Sequence, residues 1–236
     1  MRNTLTIARR EFRSYFNSPA AYIVGALFLL VISIMFWNSF FLEQRASVRR
    51  LFSWAYGVSV FVAPALTMGL IAEERRTGTM ELLITYPVRD AEVVIGKYLG
   101  ALGLYAVLLL LTVPQVLSVG QLGQLDMGPV WAGYLGLFLS GGAFLSIGIL
   151  ASSWTSNQLI ALIVALAIGG FFAMIGHLLV FLPEGAASVF EWLSFGYHEN
   201  SLERGVIDTR DVFFFFSVIA LCLALAFRSL ESRLWK

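Results

Sequence analysis

From position 127 to 183 the chain carries no Asp, Glu, Lys or Arg. A helix needs about 20 mostly apolar residues to cross a bilayer, so this stretch has room for two crossings. Its one polar break is SSWTSNQ at 152–158, and the division falls there, giving spans at 129–151 and 159–182. Three further apolar runs, 20–42, 51–72 and 98–119, are long enough by themselves. The last, 212–228, is shorter and crosses if flanking charges snorkel to the interface. Continuous runs argue against a transmembrane barrel, whose strands alternate. The expected fold is therefore an all-α membrane protein with six transmembrane helices, built as one domain over 1–236.

Composition agrees. Of 236 residues, 58% are hydrophobic and 13% charged, whereas a soluble domain carries roughly 25% charged residues. Such a chain has too little polar surface to cover a globule in water. Cys222 is the one cysteine, which excludes an internal disulfide. The first apolar run exceeds the length of a signal-peptide core and lacks a small-residue cleavage site, so it reads as a retained span.

Six spans put both termini on one side. On that side fall Arg2, Arg9, Arg10, Arg13, Arg75, Arg76, Arg89, Lys97, Arg228, Arg233 and Lys236; the other side has Arg45, Arg49, Arg50, Arg204 and Arg210. The basic excess predicts cytoplasmic termini.

Several short devices stand at the two faces. In LTIARREFRSYF, Leu5, Ala8, Phe12 and Tyr15 recur at helical spacing with arginines between them. That pattern predicts a helix lying flat in the headgroup region. After the second span, Glu73–Arg76 end the apolar run, and Gly78 permits a sharp turn. Residues 79–86 have length for about two helical turns, Pro87 blocks continuation, and Asp90 suits the cap of the next helix. An ordinary polar loop is the alternative reading. On the other side, 183–211 predicts two short interfacial helices forming a lid, with Gly205 ending the second and Asp208 capping the last span.

Within the spans, Ala161, Ala165, Gly169 and Ala173 recur every four residues and continue to His177. Small residues let helices approach closely, so His177 is expected to face another helix. Gly96, Gly100 and Gly103 make a similar stripe, and Pro114 predicts a kink. Apart from Arg228 at the very end of the last one, the spans as drawn contain no Asp, Glu, Lys or Arg, which disfavours a proton- or sodium-driven transporter. No phosphate-binding loop, zinc motif or catalytic constellation is present, and basic residues are too scattered for a nucleic-acid surface.

The segment EERRTGTMELLITYPVRDAEVVIGKYLGA resembles the region after the second span in ABC-2 type permeases of ATP-binding-cassette transporters. Glu74, Gly78, Thr79, Glu81, Leu83, Pro87, Val88, Gly96 and Lys97 carry the pattern. YHENSLERGVIDTRDVFFF, SSWTSNQLIA and LESRLW resemble the subgroup associated with gliding motility and nitrous-oxide-reductase maturation. The chain departs from that pattern after His198, where the subgroup leads one to expect an aromatic.

The resemblance implies a permease without catalytic residues of its own. The helix after the second span would be a coupling helix docked in a groove of a separate ATPase subunit, which binds the ATP and Mg. Glu74, Arg75, Arg76, Gly78, Thr79, Met80, Glu81 and Leu83 would form the main contact. Ser152, Ser153, Thr155 and Asn157 would form a smaller one. Two permease copies, identical or different, would work with two ATPases in a bacterial cytoplasmic membrane, in the direction of export, with a periplasmic accessory protein as a further partner. The first, second and fifth spans would flank the path, with Gly169, Ala173 and His177 at the path or in its packing. Two other readings stand beside this one: a mechanical or scaffolding subunit driven by the ATPase, and a secondary transporter using His177.

Overall fold

The computed structural model describes residues 2–43, 47–78, 89–178 and 190–231, and every regular element among them is helical. In chain order these are α1 (Arg2–Asn17), α2 (Pro19–Glu43), α3 (Arg49–Thr67), α4 (Gly69–Arg76) and α5 (Asp90–Leu110). There follow α6 (Val113–Leu122), α7 (Met127–Trp154), α8 (Gln158–Leu178), α9 (Phe195–Glu203) and α10 (Thr209–Glu231). Six crossings result: α2, α3 with α4, α5 with α6, α7, α8 and α10. Of the segment 79–88, Thr79, Met80, Glu81, Leu83, Pro87 and Val88 all lie outside the described residues, as does 179–189.

α7 is the centre. In its apolar window 89% of residues are inside the protein, against 22% for α2, α8 and α10. Its small residues explain why. A Cβ on Gly133 would strike the Phe52 ring, one on Gly141 the Tyr105 ring, and one on Gly148 the Thr67 hydroxyl. Close approach of this kind replaces the hydrophobic drive, which is absent between helices in lipid. Around α7 stand α3, α5, α8, α9 and α10, while α2 covers α3 and α1 covers α5. The exposed apolar faces of α2, α8 and α10 (Leu27, Ile34, Ile163, Phe171, Phe213 and Leu221 among them) suit lipid or a second membrane protein.

Two crossings are broken, each for a local reason. Pro114 cannot donate to a carbonyl one turn back, and α5 stops at Leu110, to resume as α6 with Pro114 in its first turn. The Thr112 hydroxyl fills the gap, donating to Leu109 O at 2.7 Å or meeting Tyr134 Oη at 2.9 Å. α3 gives way to α4 at Met68. There Ser152 Oγ of α7 accepts from Ile71 N (3.1 Å) and Ala72 N (3.0 Å) and donates to Met68 O (2.8 Å). Backbone groups freed inside a membrane must be satisfied by neighbours, and one serine serves three of them.

Several boundaries depart from the sequence reading. The third crossing begins at Asp90, not 98, because the polar turn before it is already helical; Arg89 is its cap, Asp90 its first residue, and Arg89 N donates to Glu92 Oε2 at 3.3 Å. α7 extends to 127 and 154, beyond 129–151. The last crossing is the whole of Thr209–Glu231, so it has full length without help from flanking charges. Asp208 does cap it, accepting from Arg210 N at 2.9 Å, and Gly205 does end α9, at φ +87°.

The N-terminal helix forms, and Ala8, Phe12 and Tyr15 of its expected apolar face turn inward while Leu5 does not. Thr4, Ile7, Ala8, Glu11 and Phe12 lie on α5, and Leu5 is 67% exposed. The glycine stripe decides this. A Cβ on Gly96 would meet Ile7 at 2.7 Å, and one on Gly100 would meet Glu11 Cβ at 2.7 Å and Ala8 O at 3.1 Å. Arg9, Arg10 and Arg13 point outward.

Candidate functional site

At the face that carries the termini, both ends of segment 79–88 are held. On the incoming side, α4 ends at Thr77, whose N–H donates to Glu73 O (2.9 Å), and Gly78 follows at φ +71°. That is the left-handed exit a glycine permits. On the outgoing side, α5 brings in Lys97, 2% exposed, with Nζ 2.7 Å from Glu74 Oε1 and 3.1 Å from Glu11 Oε1. A single buried ammonium thus ties α4, α5 and α1 together. Two carboxylates compensate the charge that burial strips of water.

A second tie runs to α8. Glu73 accepts from Gln158 Nε2 at 2.6 Å and forms a fork with Arg76 at 2.6 and 3.0 Å. Glu73 is a half-exposed hub between the last turn of α4 and the first turn of α8. Asn3 Nδ2 also donates to Glu92 Oε2, at 3.3 Å, joining α1 to the start of α5. The helices that flank 79–88 are thus joined through side chains to one another, to α1 and to α8.

Of the other residues read from the sequence as contacts, Arg75 is half-buried and Arg76 exposed. Ser152 and Ser153 are fully buried; Ser153 Oγ donates to Leu150 O, so both serve this chain's own helices. Thr155 and Asn157 remain at the surface of the α7–α8 turn, with Asn157 Oδ1 capping α8 through Leu159 N (2.9 Å).

His177 does not face another helix; it is exposed. A four-residue period advances about 40° per step on a helix of 3.6 residues per turn. From Ala161 the drift reaches about 160° at His177. The stripe therefore runs Ala161, Ala165 and Gly169, all buried, reaches half-buried Ala173, and the inner face passes to Ile175.

The opposite face holds what the sequence concealed. α9 is not an interfacial lid helix. It runs antiparallel along α7 inside the bundle: Phe195 packs on Phe144 (5.2 Å between ring centroids), Leu202 on Gly136, and Gly205 on Pro129. Phe144 is about 25 Å along α7 from its start. Phe195 draws α9 inward because Phe144, Phe172, Phe214 and Phe215 all surround it.

α9 brings polar groups with it. His198 stacks on Phe214 at 4.0 Å, with Nδ1 2.7 Å from Asp211 Oδ1 and Nε2 donating to Trp192 O at 2.9 Å. A carbonyl can only accept, so Nε2 carries hydrogen, and one further proton lies between Nδ1 and Oδ1. Glu203 accepts from Ser53 Oγ (3.2 Å) and faces Arg49 (3.7 Å) at the rim. Burial raises its carboxyl above the ordinary range, with Ser53 and Arg49 opposing. Asp211 is thus an acid inside the last crossing, a span expected to have none.

No curated protein matches the chain. The family described as ABC-2 family transporter protein matches residues 37–230, most of the chain and all six crossings at least in part. The chain belongs to that family, as a multi-pass membrane subunit of an ABC transporter.

Proposed function

We propose that this chain couples ATP hydrolysis by a separate ABC ATPase to substrate movement, and that segment 79–88 is the coupling helix that docks on that ATPase. The observation that supports this is the Lys97 clamp. A segment that only closes a loop has no use for a buried ammonium shared by three helices. A segment that receives force needs stiff ends, and stiffness is what a compensated buried charge supplies. In this reading Thr79, Met80, Glu81 and Leu83 form the docking surface, with Thr155 and Asn157 beside it. Glu74, with Arg75, anchors the segment from within; Arg76 is held to Glu73.

The rest of the assignment follows the resemblance. Two permeases, identical or different, and two ATPases would make the working unit, with ATP and Mg held by the ATPases. The orientation that fits is both termini in the cytoplasm of a bacterial inner membrane, transport outward, and a relationship to the gliding-motility and nitrous-oxide-reductase-maturation permeases. The test is Glu81→Lys. It is expected to abolish association with the co-expressed ATPase and the stimulated ATP turnover. Unchanged association and turnover would contradict the assignment.

A further inference from the structure

Glu199 is the one acid of the α9 region left without a basic partner. It is 1% exposed, and among the described residues neither carboxyl oxygen makes a hydrogen bond of ordinary geometry, the Ser140 hydroxyl being the donor that acts on it from nearby. Its carboxyl fills the place of a missing side chain on α7: a Cβ on Gly136 would lie 3.0 Å from Oε1. Gly136 is about 14 Å from the start of α7, well below that end of the bundle.

Among the described residues no positive charge reaches it. From α9 itself come Glu203, facing Arg49 and Ser53, and His198, facing Asp211. From α10 comes Asp211, and from α3 and α5 the phenols of Tyr56 and Tyr105. Tyr105 Oη is 2.7 Å from Ser59 Oγ, whereas buried Tyr56 Oη is also without a partner. α7 offers Gly136 and Ser140, whose hydroxyl donates to Leu137 O at 3.4 Å. The one ionisable group of α8, His177, is exposed.

An ionised carboxylate here is an uncompensated buried charge, which is strongly unfavourable. Either a proton or a cation from outside must neutralise it. A metal cation needs several oxygen ligands, and no group of three His, Cys, Asp or Glu that could hold a metal exists among the described residues. The proton remains. Its route is visible: Arg49 is half-exposed at the face opposite the termini, it faces Glu203, and Glu203 is one helical turn from Glu199.

We propose that Glu199 is a proton-binding site, reached from the face opposite the termini along the Arg49–Glu203 pair, and that it holds α9 against α7 only while it carries its proton. Lifting α9 hydrates the carboxyl and releases the proton to that side. Burial first, then Glu203, push the carboxyl well above its ordinary range; Ser140 opposes and Asp211 adds to it. A group raised in the packed state stabilises that state fully at pH below its ordinary value. The stabilisation is lost as pH rises through the raised value. Alkaline medium on that face therefore favours release of α9.

The test needs no ATPase, so its failure is separable from failure of the coupling assignment. The full chain in lipid nanodiscs is compared with Glu199→Gln and Glu203→Gln by infrared spectroscopy at neutral pH and by melting temperature against pH. The native chain is expected to show a protonated-carboxyl C=O band. Glu199→Gln loses one carboxyl's share of that band, which Glu203→Gln retains. The native melting temperature falls toward alkaline pH, and Glu199→Gln flattens that fall. Glutamine copies the shape of a neutral acid, so the variant is expected to melt at or above the native temperature at neutral pH. A band unchanged in Glu199→Gln, or a variant that melts earlier than the native chain, overturns the proposal.

Discussion

Lys97 and Ser152 show how single side chains hold a membrane bundle together. Lys97 is buried with two acids, so Lys97→Met removes the ammonium that Glu11 and Glu74 share. Breaking a buried pair from one side costs about 3–5 kcal/mol, and the partial exposure of both acids puts the expected loss near the lower end. The measurement is thermal unfolding in nanodiscs, and adding Glu74→Gln to Lys97→Met is expected to restore part of the loss. Ser152→Ala is expected to cost about 1–3 kcal/mol, because it strands the N–H groups of Ile71 and Ala72 in the core. Ser153→Ala, whose hydroxyl bonds only within its own helix, is the control and is expected to change little.

At the scale of elements, apolar run length was legible because lipid leaves the backbone no alternative to helix. Each of the six crossings overlaps a predicted run, though several begin earlier or end later than read, and Gly78, Gly205, Pro114 and Asp208 punctuate the chain as read. What was not legible is which polar residues are carried inward by a neighbour. Glu199 sits in a polar stretch of sequence, and Gly136 in an unremarkable apolar one. Only the antiparallel packing of α9 on α7 joins them, and no local pattern encodes that. Glu11 left a faint signal, as the single acid on a helix rich in arginine, opposite a lysine set in a glycine stripe. His177 was misread because a period of four was extended further than a helix of 3.6 residues per turn allows. The α1–α5 contact gives an element-level prediction. Gly100→Leu places a side chain where Glu11 Cβ and Ala8 O now lie. It is expected to lift α1, and to raise thiol labelling of a Phe12→Cys reporter in a Cys222→Ser background severalfold over the same reporter with Gly100 intact. Equal labelling in the two backgrounds would mean that α1 is not seated by that stripe.

For the whole molecule, α7 is a fixed post and the elements around it differ in how they are attached. α3, α8 and α10 bury apolar surface against it. α1, α4, α5 and the start of α8 are joined at the terminal face by charge, and α9 is inserted from the opposite face. The bundle is thus tied by ion pairs at the terminal face and filled by an inserted helix at the other. The exposed apolar faces of α2 and α8, two of the crossings that the resemblance would set beside a path, leave room for a second copy. The central claim is that segment 79–88 meets an ATPase and that the Lys97 clamp passes its motion on. The direct measurement is disulfide cross-linking from Glu81→Cys, in the Cys222→Ser background, to a cysteine in the groove of a co-expressed ABC ATPase, with ATP turnover measured with and without Lys97→Met. The account predicts an adduct with the ATPase, and stimulated turnover that Lys97→Met lowers at least severalfold while the adduct persists. Labelling of Glu81→Cys by a membrane-impermeant maleimide from outside the cell, with no adduct, would contradict it.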